Sequence, residues 1–139
     1  MTGQPSILLD TCALLFVASE IHISERAETE ISEAAYDGRL YVSPMSAWEI
    51  GIGVAKNRLK LPLGPLEFFQ RFLKLMQAQL STLSPEILVG SSNLPGPLHG
   101  DPMDRILIST ARNLDMVLVT RDQPILDYGA EGNLRTLAC

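Results

Sequence analysis

The chain has little with which to cross-link itself, span a bilayer or attract polyanions. Its two cysteines, Cys12 and Cys139, are too few for a disulfide framework. Cys12 reads as a small buried residue, and this sparing use of thiols fits a reducing, cytoplasmic setting. No uninterrupted apolar stretch approaches the ~20 residues a helix needs to cross a bilayer, so no membrane association is expected. The opening Met1-Thr2-Gly3-Gln4-Pro5 carries no basic residue ahead of the first apolar run, so a signal peptide is not expected. Histidine is confined to His22 and His99, which stand apart in sequence; with unpaired cysteines they outline no soft-metal site. His99 reads as a loop or hydrogen-bonding residue rather than a ligand. Lys and Arg (11) are outnumbered by Asp and Glu (16), for a net charge of −5. That balance argues against nucleic-acid binding by electrostatics alone, because phosphate contacts need clustered cations. Metal ions held by acids would reverse the local sign, however. Lys56, Arg58 and Lys60 also form a small basic patch, read first as a solvated helix end.

Apolar residues are plentiful. At 139 residues and 46% hydrophobic content, the chain can bury a core as one domain spanning 1–139. Ser6 to Asp10 reads as a first strand, apolar throughout and therefore covered on both faces. A brief helix follows from Thr11. Ser24 looks like the N-cap of a helix that runs to Asp37 and stops at Gly38. Leu40-Tyr41-Val42 reads as a strand. Ser46 is expected to open a helix ending near Asn57, despite Gly51 and Gly53, each costing roughly 1 kcal/mol relative to Ala. Close approach of another backbone is the expected compensation, and Trp48 is expected in the core. The helical stripe Phe69, Phe72, Leu73, Met76 and Leu80, widened by Phe68 and Leu75, predicts a helix over Leu66–Leu80. Its width suggests burial on more than one side, with a groove for a second copy or a partner segment.

Farther along, a short strand is expected at Thr82-Leu83 and a short helix from Pro85 to Ser91. The stretch Gly90–Gly100 reads as a loop. Asp101-Pro102 opens a helix to about Asn113, and Met116–Val119 is a buried strand. Pro124–Tyr128 reads as a turn or short helix, and Asn133–Leu137 as a last edge strand. Strands alternating with helices predict an α/β sandwich with a mainly parallel sheet.

Four carboxylates fall where such a fold can bring them together. Asp10 ends the first strand, and Asp122 follows the run Met116–Val119 after Thr120-Arg121. Glu49 and Asp104 lie early in two predicted helices. In an open parallel sheet, ligands gather beyond the carboxyl ends of the strands. Four acids sharing that edge repel one another unless a counter-ion is present, and an all-oxygen set suits Mg²⁺ or Mn²⁺. Such an ion serves phosphodiester hydrolysis. Thr11 and Thr120 can add hydroxyls to the water shell or to a phosphate. Arg105 and Arg121 adjoin two of the acids and can meet phosphates as bidentate donors.

Each acid also has a purely structural explanation. Ser46 and Glu49 fit a capping box. Asp101 fits an N-cap ahead of Pro102, with Asp104 favoured by the helix dipole. Asp122 before Gln-Pro fits a turn. A non-catalytic module whose acids only cap helices is therefore one alternative. Another is phosphoryl transfer through an aspartyl intermediate on Asp10. Phosphatases of the haloacid-dehalogenase type need a second Asp two residues on, where this chain has Cys12.

Four motifs carry a resemblance. Ile-Leu-Leu-Asp-Thr-Cys-Ala (7–13), Ser-Ala-Trp-Glu-Ile (46–50), Asp-Pro-Met-Asp-Arg-Ile-Leu-Ile (101–108) and Leu-Val-Thr-Arg-Asp (118–122) resemble the acidic motifs of PIN-domain ribonucleases, across nearly the whole chain. Within that family they are most similar to VapC-type toxins of toxin–antitoxin pairs. The resemblance implies a three-layer α/β/α sandwich and RNA cleavage dependent on Mg²⁺ or Mn²⁺. It also implies frequent homodimers and neutralisation by a small antitoxin. Carried over by motif, the metal-binding and catalytic acids are Asp10, Glu49, Asp104 and Asp122. Asp101 belongs to the third motif and reads as the helix start. Gly51 and Gly53 depart from the pattern, standing where larger residues would be unremarkable.

Overall fold

In the computed structural model, which describes residues 3–98 and 100–139, the first strand is β1, Ile7–Leu9. It pairs in parallel with β2 (Leu40–Val42) on one side and with β4 (Val117–Thr120) on the other. The edges are β3 (Gln79–Leu80) and β5 (Arg135–Ala138), giving a parallel sheet in the order β3-β2-β1-β4-β5. The chain lays down one half of the sheet outward from β1, then returns to build the other half. The switch in direction falls between β1 and β4, where open α/β sheets form their binding crevice.

Alternation of side chains sorts the strands between two helical layers. Ile7 and Leu9 of β1, with Leu40, Val42, Val119 and Leu137, meet α1 (Thr11–Ala18), α2 (Glu25–Asp37), α3 (Pro44–Ala55) and α4 (Pro65–Met76). Leu8 and Leu118 point the other way, onto α6 (Pro102–Leu114) and α7 (Gln123–Ala130). A short helix, α5 (Pro85–Ser91), is tied to α6 by the Ser109 hydroxyl, which donates to the Ile87 carbonyl at 2.7 Å. The result is the three-layer α/β/α sandwich, with strands covered on both faces.

Local signals fix several boundaries. The Ser24 hydroxyl accepts the Ala27 amide at 3.1 Å, and Gly38 ends α2 at φ 74°. Asp101 caps α6 through the Met103 amide at 2.8 Å, with Pro102 as its first residue. Helix α7 packs closely on β5. A Cβ at Gly129 would stand 2.7 Å from Thr136 Cγ2, which only glycine avoids.

Other boundaries move. Helix α3 starts at Pro44 with Ser43 as its N-cap, not at Ser46. Ser43 bonds the Met45 amide at 3.0 Å and Pro44 supplies a preset φ, so the earlier serine is the better start. The capping box on Glu49 is thereby removed. Gly53 is explained by a side chain rather than a backbone, since its Cβ would lie 3.2 Å from Leu59 Cβ; Gly51 faces open space. Trp48 is 57% exposed, because the buried face of α3 carries Ser46 and Ile50 at i, i+4 spacing. Helix α4 ends at Met76, with Gln77 in the left-handed region, and Leu80 leaves the helical stripe to pair with Val42 in β3. The strand expected at Thr82-Leu83 thus lies at Gln79–Leu80. Leu75 is exposed as well, so the stripe is buried on one side, through Phe69 and Phe72. Cys12 is exposed rather than buried. The reading of His99 falls outside the described residues.

Candidate metal centre at the sheet switch point

Asp10 follows the last residue of β1 and caps α1. Its Oδ1 accepts the Ala13 amide at 2.7 Å, and its Oδ2 accepts the Thr120 hydroxyl at 2.5 Å. The Asp10 amide in turn bonds the Val119 carbonyl at 3.1 Å, so the ends of β1 and β4 are joined by backbone and side chain together. Thr120 also accepts the Asp122 amide at 3.0 Å. Asp122 then caps α7, its Oδ2 receiving the Ile125 amide at 3.1 Å. One buried threonine hydroxyl therefore touches both the acid after β1 and the turn that carries the acid after β4.

Asp104 lies in the first turn of α6, beside a small cleft of about 160 Å³ shared with Asp101, Arg105, Asp122 and Pro124. Its carboxyl is pushed up to about 7, first by burial and then by Asp101, Asp122, Asp10 and Glu49. Burial likewise raises Asp10, against the pull of its Thr120 and Ala13 hydrogen bonds, and Asp122 and Glu49 raise it further. The Cys12 thiol is raised by partial burial first and then by Asp10, Glu49 and Asp104. Glu49 reaches this field from α3, in a half-buried position. Acids from the residue after β1, from α3 and α6, and from the start of α7 thus share one electrostatic environment at the carboxyl edge of the sheet.

That environment is strained by negative charge, and its donors are all oxygen. The set suits a hard divalent cation completed by water. Among the described residues, no three His, Cys, Asp or Glu side chains close into a ready-made cage. Each acid keeps unused acceptor capacity: the caps employ one oxygen of Asp122 and one of Asp101, and a carboxylate oxygen offers two lone pairs.

The neighbouring polar residues divide by task. The Thr11 hydroxyl is paired with the Ser46 hydroxyl at 2.8 Å, inside the protein. Arg105 donates through Nε to the Ser91 carbonyl at 2.9 Å and through Nη1 to the Leu98 carbonyl. Arg121 donates to the carbonyls of His22 and Cys139 at 3.1 and 3.0 Å and lies 4.2 Å above the Phe16 ring. Both guanidiniums hold loops. Sequence reasoning missed Ser46 as a buried partner; its spacing of one turn ahead of Glu49 was the available signal.

A model of the PIN domain matches residues 7–130. No curated protein sequence matches the chain. Among solved structures, it is similar to VapBC2 from Rickettsia felis bound to a promoter DNA fragment, with a TM-score of 0.69 at 16% identity, covering 95% of this chain and 98% of that one. DNA-bound VapBC from Salmonella typhimurium gives a TM-score of 0.66 at 14% identity, covering 97% and 98%. A toxin–antitoxin complex from Klebsiella pneumoniae gives 0.57 at 22% identity, covering 85% and 88%. The sheet order, the acids at its switch point and the match over 7–130 place this chain in the PIN-domain family.

Proposed function

We propose that this chain is an endoribonuclease dependent on Mg²⁺ or Mn²⁺, and the toxin of a type II toxin–antitoxin pair. The observation that carries the reading is that Asp10 and the Asp122 amide share the Thr120 hydroxyl at the switch point of the strand order, with Glu49 and Asp104 near enough to feel their charge. A bound divalent cation would supply activation of a water and neutralisation of phosphate charge. Asp10, Glu49, Asp104 and Asp122 would hold the cation. Asp10 is fixed for this by Ala13 and Thr120. A cation beside Asp104 would favour its charged form, against the burial and neighbouring acids that raise it to about 7. The acidic chain meets RNA through that local positive charge rather than through its net charge.

The partner in this reading is a small antitoxin, in keeping with the toxin–antitoxin complexes among the similar structures. An apolar groove of about 530 Å³ between α1 and α4, lined by Val17, Pro62, Leu63, Phe68, Phe72 and Leu75, supports a partner of that kind. The chain acts as a homodimer in the cytoplasm. Among the described residues, no helix is long and apolar enough to cross a membrane.

A capping-only reading has one observation in its favour: Asp10, Asp101 and Asp122 do cap helices. It leaves Glu49 without a cap to make, and a helix dipole would lower Asp104 rather than raise it. Purified protein incubated with RNA and Mg²⁺ or Mn²⁺ should cleave it, and a chelator should stop cleavage. Full activity in chelator, or in Asp10→Asn, would sink the proposal.

A further inference from the structure

Thr11 and Ser46 lie 35 residues apart, yet their hydroxyls meet at 2.8 Å with both residues buried. Buried hydroxyls are costly unless bonded, and here each satisfies the other. Neither is spent on capping its own helix: Asp10 caps α1 and Ser43 caps α3. Their positions give the bond a consequence. Thr11 is covalently next to Asp10. Ser46 precedes Glu49 by one helical turn, so the two lie on adjacent turns of α3 on the same side. Ser46 is also on the face that buries Ile50 in the apolar layer. The bond therefore links the turn that presents Asp10 to the turn that presents Glu49, at the point where α1 and α3 approach.

We propose that the Thr11–Ser46 hydroxyl pair is a positioning device that holds Glu49 toward Asp10 and so sets the affinity of the site for a divalent cation. This rests on the metal-centre reading above. Asp10 has two anchors of its own in Ala13 and Thr120. Among the described residues, Glu49 has no hydrogen-bonding anchor of this kind, so the approach of α3 fixes its place. Neither hydroxyl needs to touch substrate or cation.

The test measures Mn²⁺ affinity by titration calorimetry, with thermal unfolding alongside, in wild type, Ser46→Ala, Thr11→Val, the double variant, Thr11→Ser and Glu49→Gln. Either single variant orphans one buried hydroxyl, whereas the double variant removes both, so it should recover stability relative to the singles. Its Mn²⁺ affinity should stay about tenfold or more below wild type, as for other groups that orient ligands. Thr11→Ser, which keeps the hydroxyl, should bind as wild type does. Removing the pair in a Glu49→Gln background should weaken binding no further. Wild-type affinity in the double variant overturns the positioning role, as does an additive loss with Glu49→Gln. Wild-type protein that takes up no Mn²⁺ would overturn the metal centre as well, which separates the two failures.

Discussion

The Thr120 hydroxyl donates to Asp10 Oδ2 at 2.5 Å across 110 residues of sequence, and the same oxygen accepts the Asp122 amide at 3.0 Å. A hydrogen bond to a carboxylate is stronger than one between neutral groups, and here it aims the acid. Replacing Thr120 by Val keeps the shape and removes both bonds. Cleavage and Mn²⁺ affinity should fall by about 10–100-fold, the range for partners that orient metal ligands. Thr120→Ser should retain most of both. Equal activity in Val and Ser variants would show that the hydroxyl is dispensable.

On the proposed metal-centre reading, direct loss of one of the acids should cost more. Asp10→Asn and Asp104→Asn are expected to lower RNA cleavage by more than about 100-fold, beyond the usual cost of an outer partner. The folded state should survive, because Asn also serves as an N-cap at position 10. Circular dichroism and a cleavage assay on the same preparations decide the point. Cleavage within a few fold of wild type would remove the residue from the site.

The raised carboxyl of Asp104 gives a pH dependence with a definite sign. Its folded pKa is about 7 against an ordinary 3.8, with burial the largest cause. Such a group favours the folded state while protonated. Its contribution is fully present below the ordinary value and is lost as pH rises through the folded one. In chelator, wild-type protein should therefore lose stability relative to Asp104→Asn as pH is raised from about 4 to about 7. Thermal unfolding of both proteins across that window measures the difference. A constant gap would contradict the shift.

Far from the acids, Gly129 tests the packing of α7 on β5. A Cβ there would meet Thr136 Cγ2 at 2.7 Å and the Leu134 carbonyl at 3.2 Å. Gly129→Ala should cost about 1–3 kcal/mol, as overpacking does. Chemical denaturation would report it. An unchanged or raised midpoint would mean that the two elements can separate freely.

Where a signal was local, sequence reading reached the right element. Ser24 and Gly38 bracket α2 because cap and stop chemistry act within a few residues. The apolar runs at Ile7–Leu9 and Val117–Thr120 are strands because only a sheet covered twice tolerates them. The acids at the carboxyl edge follow from that sheet and from the acidic motifs. Boundaries failed where two local solutions competed. Ser43 and Ser46 both suit a cap, and only Pro44 separates them. Leu80 fits the helical stripe equally well, but pairing with Val42 claims it for an edge strand. Trp48 and Cys12 were misplaced because a helix's buried face depends on which neighbour it meets. The Thr11–Ser46 bond joins two helices that the sequence separates by 35 positions, which no periodicity encodes.

The 110-residue separation of Asp10 and Thr120 also bears on when the site can exist. During synthesis, β1 and α1 emerge well ahead of β4, the strand that anchors Asp10 on its other side. A nascent chain ending before β4 presents Asp10 without its threonine, without Asp104 in its helix if cut earlier still, and without Asp122. The acids cannot gather until β4 and the turn that carries Asp122 have been made. Whatever this centre acts on is beyond its reach until β4 and the turn after it have joined β1.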